Sequence, residues 1–422
     1  MTAPIVGFAG MTHLGLNSAA ACAERGFATV CFDKDETAIA ALRAGKLPVM
    51  EPGLDDMIAH NASRLRFSTD SADLAGCDVV YIAPDVPTDD NGASDLTTVR
   101  ALIEEVRQVL REDATLVILS QVPPGFCRAL GGNAARTFYQ VETLIFGRAV
   151  ERALRPERYI VGCADSTKPL PTHYRLVLEA YGCPILTMRY ESAEIAKIAI
   201  NMFLVSSVST TNTIAEICEK IGADWFEIAP ALRLDRRIGA HAYLTPGLGI
   251  SGGNLERDLA AIVMIGDACG TDVGVVRAWR ANSRHCRDWV LRKIYATGLG
   301  ARDTKLSMLG LAYKEDTHST KNSPALALLD ALTSHSVTVY DPVVAPSPDW
   351  HPHLQQAASA LEACQDAEGV IITTPWPEFR KLSPRDIAAK LKGKIVIDPF
   401  ACLDHGACLD AGLMHFSLGT PS

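Results

Sequence analysis

The chain has 422 residues, of which 48% are hydrophobic and 21% are charged, and its formal net charge is −9. This length predicts two or three domains, and this composition is typical of a soluble globular protein. A net negative surface excludes nucleic acid and anionic lipid as expected partners. The amino terminus has no basic start, and no stretch of about 18 residues is apolar without interruption, so we expect neither a signal peptide nor a membrane span.

The twelve cysteines are scattered, and no two of them have the C-x-x-C spacing of a zinc or redox site. Because the chain has no export signal, we expect reduced, mostly buried thiols and a cytoplasmic location. A disulfide framework is the alternative. No cluster of histidine, cysteine and aspartate has the spacing of a metal site, so no catalytic metal is expected.

The first predicted elements are a strand at Ile5–Phe8, a glycine-rich turn at Gly10–Gly15 and an alanine-rich helix at Asn17–Arg25. A second strand, Ala28–Phe32, follows and ends at Asp33, which completes a β-α-β unit. Further strand-like runs follow, with helical segments between them, at Val79–Ala83, Leu116–Leu119 and Tyr159–Val161. This alternation predicts a parallel sheet covered by helices on both faces.

The middle of the chain has a different pattern. The run Glu191–Lys220 is helical in character and contains no glycine or proline, and it is too long for a simple crossover helix. We interpret it as a spine that joins two domains. A loop rich in glycine and proline follows at Tyr243–Gly253, and a further helical segment extends to about Leu291.

The alternation of strands and helices resumes at Lys305. The predicted elements are the strand Lys305–Leu309, the helix Pro324–Leu332, the strand Val337–Tyr340 ending in Asp341, and the strands Gly369–Thr373 and Ile395–Ile397. We therefore predict an α/β chain with two Rossmann-like doubly wound domains joined by a long central helix and a helical middle domain. The predicted domain boundaries are 1–190, 191–295 and 296–422.

The first glycine-rich turn matches most of the dinucleotide-binding fingerprint G-x-G-x-x-G. Gly10 and Gly15 provide its first and third glycines, and Thr12 replaces the second. Asp33 is placed to bind a ribose 2′-hydroxyl and to repel the extra phosphate of NADP, so NAD is the predicted cofactor. Thr12 is expected to crowd the pyrophosphate, and a cofactor-free sheet of the same type is the alternative. His13 by itself is more typical of a solvated or capping residue.

Five ordered motifs over most of the chain resemble those of the UDP-glucose/GDP-mannose dehydrogenases. They are P-E-R-Y-I-V-G at 156–162, E-I-A-K-I-A-I-N at 194–201, R-I-G at 237–239, G-L-A-Y-K-E-D-T at 310–317 and T-P-W-P-E-F at 374–379. The resemblance implies an NAD-dependent oxidoreductase that acts on a nucleotide sugar. It implies that 1–190 binds NAD, that 191–295 forms a helical dimerisation domain and that 296–422 binds the nucleotide sugar. In that family the terminal hydroxymethyl carbon is oxidised twice, and a cysteine captures the intermediate aldehyde before a thioester is hydrolysed to a uronic acid.

The resemblance also implies roles for individual residues. Lys197 would stabilise oxyanion charge or relay a proton, and Asn201, four residues later on the same helix face, would point into the same cleft. Asp258 would assist base chemistry through water, and Glu142 matches a glutamate of the family. The alternatives are a solvated helix lysine for Lys197 and a helix-cap residue for Asp258.

Two further sets of residues follow from the resemblance. The cofactor-binding set is Gly10, Thr12, His13, Leu14, Gly15, Asp33, Pro87, Ser120 and Lys321. The substrate-binding set is Arg237, Tyr243, Gly249, Gly252, Gly253, Tyr313 and Lys314. In the family the arginine of R-I-G reaches into the neighbouring subunit's site, so a homodimer built on the long helix is expected.

Several positions depart from the family pattern around both ligands. The family's T-P is Val86-Pro87, its S-T-V-P begins with Ser120-Gln121, and its D-x-R is Asp398-Pro399-Phe400. Lys321 replaces an arginine that contacts the cofactor, and the two cations differ in geometry. These changes predict a remodelled site whose substrate need not be UDP-glucose.

The catalytic cysteine of the family is missing from this chain. The family loop G-F-G-G-S-C-F-x-K-D aligns with Gly249–Asp258, and Asn254 takes the position of the cysteine. An amide is not a nucleophile toward an aldehyde, so we predict a two-electron oxidation of an alcohol to a carbonyl without a thioester. Rescue by Ser251 or by a distant cysteine is the alternative at this position.

Three other functions compete with this prediction. The chain could be a catalytically inactive nucleotide-sugar-binding or regulatory protein, which both Thr12 and Asn254 favour. It could instead form the acid through another nucleophile or by direct oxidation of the aldehyde hydrate. A 2-hydroxy acid dehydrogenase of similar domain order would leave the G-L-A-Y-K motif unexplained. A role in polysaccharide or specialised sugar biosynthesis would fit the family.

Overall fold

The computed structural model describes residues 3–49, 51–87 and 94–421. The chain divides into two compact units, Met1–Ile200 and Asn201–Ser422. The boundary between these units falls inside one long helix. The division into three domains, 1–190, 191–295 and 296–422, therefore stays a prediction.

The first unit alternates short buried strands with helices. Its strands are β1 (Val6–Ala9), β2 (Thr29–Phe32), β3 (Leu65–Ser68), β4 (Val79–Ile82), β5 (Thr115–Ile118), β6 (Thr137–Gln140), β7 (Tyr159–Cys163) and β8 (Ile185–Arg189). Its helices are α1 (His13–Glu24), α2 (Glu36–Arg43), α3 (Leu54–His60), α4 (Thr97–Val109), α5 (Phe126–Ala129), α6 (Ala149–Leu154) and α7 (Thr172–Glu179). The long helix α8 (Tyr190–Ile221) starts directly after β8.

The eight strands form one sheet in the order β3-β2-β1-β4-β5-β6-β7-β8. All neighbours are parallel except β6 and β7, which pair antiparallel through Tyr139 opposite Gly162. The predicted parallel sheet is therefore confirmed except at this pair, and β6 was not among the predicted strands. Apolar periodicity reveals a strand but not its direction, because both directions bury the same alternate residues.

Both faces of this sheet are covered, as the alternation predicted. Val79 and Tyr81 of β4 belong to one hydrophobic core, whereas Val80 and Ile82 belong to a second core on the opposite face. Successive side chains of a strand point to opposite faces, so a strand that is apolar throughout has to be buried on both sides.

Helix α1 begins earlier than the sequence indicated. The predicted helix was Asn17–Arg25, but the structure starts it at His13, immediately after Thr12, whose backbone is extended. The predicted start was too late because Gly15 lies inside the first helical turn rather than in a loop before the helix. The glycine-rich turn is therefore tighter than its six residues suggest.

The second unit contains helices followed by a second sheet. Its helices are the rest of α8, then α9 (Trp225–Leu234), α10 (Asn254–Cys269), α11 (Gly274–Arg287), α12 (Trp289–Ala296), α13 (Pro324–Ala331), α14 (Ala360–Ala363), α15 (Pro384–Lys390) and α16 (His405–Asp410). Its strands are β9 (Lys305–Leu309), β10 (Ser336–Tyr340), β11 (Leu354–Gln356), β12 (Gly369–Ile372), β13 (Ile395–Ile397) and β14 (Met414–Phe416).

The second sheet has the order β11-β10-β9-β12-β13-β14, and its strands pair in parallel. This is the order of the first six strands of the first sheet. Its core includes Leu306 and Met308 of β9 and Val370 and Ile372 of β12. The chain is thus an α/β protein with two Rossmann-like sheets and helices between them, as predicted.

Helix α8 confirms the predicted long helical run. It has the length and composition of a membrane-crossing helix, with a mean hydropathy of 1.2 over its most apolar window, and 44% of that window is buried inside the protein. Core helices of soluble proteins have the same properties. The part of this window that is not buried forms an apolar surface on α8.

Candidate active site

The first glycine turn has the geometry of a dinucleotide-binding turn. Gly10 has a φ of +97°, and a Cβ atom there would lie 2.7 Å from the backbone nitrogen of Pro84. A Cβ atom at Gly15 would lie 1.8 Å from the carbonyl oxygen of Gly10. Both positions therefore require glycine. The side chain of Leu14 is buried in the core, which leaves its main chain for contact with a cofactor.

The carboxylate of Asp33 holds this turn and can still accept further hydrogen bonds. Its Oδ2 accepts a hydrogen bond from the Met11 amide at 2.6 Å, and its Oδ1 accepts one from the Asp35 amide at 3.0 Å. A carboxylate has about four lone-pair positions. The arrangement leaves positions on Asp33 that ribose hydroxyls can occupy.

Asp341 is the counterpart of Asp33 in the second sheet, and sequence reasoning missed its role. It follows β10 beside Gly310, whose φ is +103°. Its carboxylate accepts five hydrogen bonds, from the amides of Leu311, Ala312, Val343 and Val344 and from the indole of Trp376. These bonds saturate the carboxylate, so the second turn cannot bind a ribose in the manner of the first.

Thr12 is turned toward the loop after β4. Its hydroxyl donates to the carbonyl of Ala83 at 3.3 Å and accepts from the amide of Asp85 at 2.9 Å. The same loop is held by Ser120, whose hydroxyl donates to the carbonyl of Pro84 at 2.5 Å. Further along, the carbonyl of Pro87 accepts from the Asp95 amide. Thr12 and Ser120 therefore shape the loop, and their direct contact with the cofactor stays a prediction.

His13 is a buried, partnered residue, so its interpretation as a solvated or capping side chain is wrong. Its Nε2 lies 2.7 Å from Oε1 of Glu51, and its ring stacks on Phe146 with centroids 4.0 Å apart. Glu51 also accepts from the amides of Gly147 and Ala149. Glu51 was missed because 38 residues separate it from His13 and no local pattern connects them.

Lys197 is paired rather than solvated. Its Nζ lies 2.8 Å from Oε1 of Glu142 and donates to the carbonyl oxygen of the same residue at 3.1 Å. The side chains are only 12% and 13% exposed. Glu142 also accepts from the amide of Leu144 through its other oxygen. The two predicted catalytic residues of the first unit therefore form one rigid, largely dehydrated ion pair.

Asn201 and Asp258 form a second predicted pair, in the second unit. The Asn201 amide nitrogen donates to Oδ2 of Asp258, and Nε of Arg257 lies 3.2 Å from Oδ1. All three side chains are buried, and Asp258 lies inside α10 rather than at its end, so its interpretation as a helix cap is wrong. Arg257 balances the charge of the buried carboxylate.

The loop before α10 is built from glycines for steric reasons. Gly249 has a φ of +81°, and a Cβ atom there would lie 2.5 Å from the carbonyl oxygen of Ser283. Gly252 has a φ of +80° and would place a Cβ atom 3.1 Å from the ring of Tyr313. Asn254 is exposed and is the first residue of α10.

Comparison with known proteins decides what this arrangement belongs to. The models of the UDP-glucose/GDP-mannose dehydrogenase family match at 5–174 for the NAD binding domain, 191–284 for the central domain and 307–405 for the UDP binding domain. The chain belongs to the UDP-glucose/GDP-mannose dehydrogenase family. It is therefore an NAD-dependent oxidoreductase of nucleotide-sugar CH–OH groups, with NAD bound by the domain that carries Asp33.

Individual relatives cover nearly the whole chain. The UDP-glucose 6-dehydrogenase of Rhizobium meliloti is 31% identical over 98% of each chain. UDP-glucose 6-dehydrogenase TuaD of Bacillus subtilis is 29% identical over 98% of this chain and 92% of its own. The structure of a UDP-glucose dehydrogenase from Pyrobaculum islandicum superposes with a TM-score of 0.83 at 26% identity and covers 94% of both chains.

Five of the six thiols of the second unit are buried. Burial raises the pKa of Cys218, Cys286, Cys364, Cys402 and Cys408, which disfavours their thiolate forms. Cys269 ends α10, about 22 Å along the helix axis from Asn254 at 1.5 Å per residue. The Ser251 hydroxyl donates to the carbonyl of Tyr313 at 3.4 Å. Rescue by Ser251 or by a distant cysteine stays the alternative to the predicted two-electron oxidation.

The predicted substrate residues lie in different surroundings. Lys314 places its ammonium 5.9 Å from the ring of Tyr313. Gly253 lies against the stem of Lys321, a residue that was predicted to contact the cofactor. Arg237 is 89% exposed and pairs with Asp235. The carbonyl of Tyr243 accepts bonds from Ser207 and Thr211 of α8. Their contact with a sugar nucleotide stays a prediction.

Asn322 is a further residue that the sequence did not reveal. It has a φ of +53°, and its amide donates to the carbonyl of Gly252 at 2.9 Å and to the carboxylate of Glu256. Burial raises the pKa of Glu256, against the opposing effect of Arg287 and other cations. Asparagine tolerates this left-handed backbone better than other side-chain-bearing residues. The contacts tie the glycine loop to the first turn of α10.

Proposed function

We propose that this protein oxidises an alcohol of a UDP-sugar to a carbonyl, using one NAD per sugar and releasing the carbonyl without a thioester. The proposal is supported by Asn254, which the resemblance aligns with the family's nucleophile, and by the buried Asn201–Asp258–Arg257 cluster one helical turn further along α10. Lys197 and Glu142 remain paired as well. The support for a uridine nucleotide is the match of the UDP binding domain.

The proposed reaction moves one hydride and one proton. NAD, which the turn Gly10–Gly15 and Asp33 would hold, would supply the acceptor for the hydride of the carbinol carbon. Lys197, held by Glu142, stabilises the developing alkoxide, and the pair takes the hydroxyl proton. Asn201 and Asp258 position the sugar, since the bond between them fixes the direction of the Asn201 amide. Asn254 offers a donor and an acceptor to a hydroxyl or carbonyl oxygen, but no electron pair for covalent capture.

A product assay tests the proposal. Purified protein and NAD are incubated with UDP-sugars, and GDP- and TDP-sugars serve as comparison substrates. A carbonyl trap is present, and products are identified by mass spectrometry beside NADH absorbance. We expect a trapped carbonyl with one NADH per sugar. An acid with two NADH per sugar would overturn the two-electron reaction.

A second candidate is a nucleotide-sugar-binding protein without chemistry. The absence of a nucleophile at Asn254 and the threonine in the cofactor turn favour it. Calorimetric titration distinguishes the candidates. The oxidoreductase binds both NAD and a UDP-sugar, whereas the binding protein holds the UDP-sugar, produces no NADH and has no need of NAD.

A homodimer is part of the proposal. Large apolar side chains are exposed on α8 and α9, with Phe203 at 79%, Ile221 at 71% and Leu234 at 84% exposure. Clusters of exposed apolar side chains typically mark an interaction surface. A second copy of the chain would cover this surface and bring the exposed Arg237 to a neighbouring subunit.

Light scattering tests the dimer through Phe203→Asp. We expect the wild type to have the mass of a dimer and Phe203→Asp the mass of a monomer, because a charge would be buried in the interface. Leu409→Asp is the control, since Leu409 is also exposed but lies on α16. A monomeric wild type, or equal dissociation of both variants, would contradict the proposal.

The proposed location is the cytoplasm. All twelve cysteines are free in the structure, which agrees with a reducing compartment. Cell fractionation with a cytoplasmic marker enzyme tests this assignment, and recovery of the protein with membranes would contradict it.

A further inference from the structure

A carboxylate from another loop lies at the amino end of α1. Oδ2 of Asp85 accepts a hydrogen bond from the amide of His13, the first residue of the helix, at 3.2 Å. The amide of Asp85 donates to the hydroxyl of Thr12 at 2.9 Å. Thr12 itself makes no capping bond through its side chain, so Asp85 acts in its place as the acceptor.

This position has a defined role in dinucleotide-binding folds. The amino end of the helix after the glycine turn has unpaired amides and a partial positive charge, and it binds the pyrophosphate of the cofactor. Asp85 therefore places its carboxylate at the amino end of α1, where the pyrophosphate of the cofactor would bind. The two anions compete for the same amide and repel each other.

The backbone of the loop that carries Asp85 is tied down by hydrogen bonds, whereas the Asp85 residue itself is exposed. Ser120 donates to the carbonyl of Pro84, and Thr12 bonds to both Ala83 and Asp85. Within the described part of the chain, the titratable groups that act on Asp85 are His13 and Glu142. Desolvation raises the pKa of Asp85, and the carboxylate of Glu142 raises it further, whereas His13 and the hydroxyl of Thr12 oppose this shift. Because Asp85 is exposed, rotation of its side chain alone would release the helix amide.

We propose that Asp85 is an internal competitor of the NAD pyrophosphate and sets a low affinity of this protein for its cofactor. Thr12 reinforces the competition because its hydroxyl fixes the backbone of Asp85. The residue is thus an affinity-determining group of the NAD site, distinct from the groups that recognise ribose. The inference concerns cofactor binding alone and holds whichever sugar is oxidised.

Calorimetric titration of the full-length protein tests the proposal with three ligands. NAD and ADP-ribose carry the pyrophosphate, and adenosine lacks it. We expect Asp85→Asn to bind NAD and ADP-ribose about tenfold more tightly than the wild type, since a loss of about 1.4 kcal/mol of repulsion is a factor of ten. The affinity for adenosine should not change.

Asp70→Asn is the matched control. Asp70 also caps a short helical segment of the first unit by accepting from the amide of Ala72, but it follows β3 rather than the glycine turn. The variant Asp70→Asn removes one negative charge, as Asp85→Asn does, and should leave the affinities for all three ligands unchanged. Thermal unfolding verifies that each variant is folded, and Asp85→Ala provides a second test if Asp85→Asn is unstable.

Two outcomes would overturn the proposal. The first is an NAD affinity that is equal or weaker in both Asp85 variants. The second is an equal gain in affinity for adenosine or in Asp70→Asn, because the effect would then not involve the pyrophosphate. Neither outcome depends on product formation, so failure of the proposed oxidation is a separate result.

Discussion

By resemblance to the family's glycine-rich loop, Asn254 takes the position of the catalytic cysteine. It is the first residue of α10 and is exposed, at the helix end where the amides are unpaired. A thiol in that position would be activated, because helix amino ends lower the pKa of cysteine. We therefore expect the loop to suit a cysteine at position 254.

The variant Asn254→Cys tests this interpretation. We expect it to convert part of the carbonyl product into acid, with more than one NADH formed per sugar. Asn254→Ser is the control and should keep the wild-type stoichiometry, because an unactivated hydroxyl is a weak nucleophile. An Asn254→Cys protein that still releases only carbonyl would show that the site has lost more than its thiol.

The Lys197–Glu142 pair gives a second prediction. Lys197→Met should lower kcat by about 10²-fold or more, the usual range for the loss of a positioned proton-transfer group, and leave NAD affinity unchanged. It should also reduce stability by about 1–3 kcal/mol, because the half-buried Glu142 loses its partner.

The double variant Lys197→Met/Glu142→Gln separates these two effects. It removes the unpaired charge, so thermal unfolding should show a recovery of stability, whereas kcat should stay low. Recovery of both quantities would mean that the pair acts only as a structural contact. The measurements are steady-state kinetics and thermal melting of the four proteins in the cycle.

Single residues could be singled out from the sequence where they belong to a motif. Lys197, Asn201 and Asp258 lie in segments that resemble family motifs, and the structure gives each of them a polar partner, while their catalytic roles stay predictions. His13–Glu51 and Asn322–Gly252 join residues that are far apart in sequence. No periodicity or spacing in the sequence indicates such pairs, so these contacts could be identified only from the folded structure.

At the scale of elements, Asn322 connects the glycine loop with α10. Asn322→Gly keeps the left-handed backbone but removes both hydrogen bonds of the amide. We expect KM for the nucleotide sugar to rise about tenfold with little change in kcat, because the loss corresponds to about 1.4 kcal/mol of binding. Hydrogen exchange of the loop amides should become faster.

Asn322→Ala is the comparison that separates the loss of the Asn322 hydrogen bonds from backbone strain. It loses the same hydrogen bonds and adds about 1–2 kcal/mol for a left-handed alanine. It should therefore melt at a lower temperature than Asn322→Gly but have a similar KM. A normal KM in both variants would exclude a role for the Asn322 hydrogen bonds in substrate binding.

Elements were predicted well where one pattern determines them. The long apolar run identified α8, and the strands β1, β4 and β9 follow from short apolar stretches. The start of α1 was predicted too late in the chain, and β6, which pairs antiparallel with β7, was not predicted. Helix boundaries and strand directions depend on packing partners that a single segment does not specify.

At the scale of the whole molecule, the chain uses the same strand order twice. Both sheets place a glycine with positive φ after the central strand and an aspartate after the neighbouring one. The fold was therefore predictable from repeated alternation of strands and helices. The difference between the two turns was not, because it lies in how many donors surround Asp33 and Asp341.

The state of the cysteines has a consequence for the conditions under which the protein can work. Burial raises the pKa of eleven of the twelve thiols, and Cys269, the remaining one, lies at the far end of α10 from Asn254. Electrophiles and peroxides inactivate enzymes whose chemistry passes through an exposed thiolate. In the proposed two-electron oxidation no cysteine takes part, so turnover should persist under electrophilic or oxidative stress that would inactivate a cysteine-dependent relative.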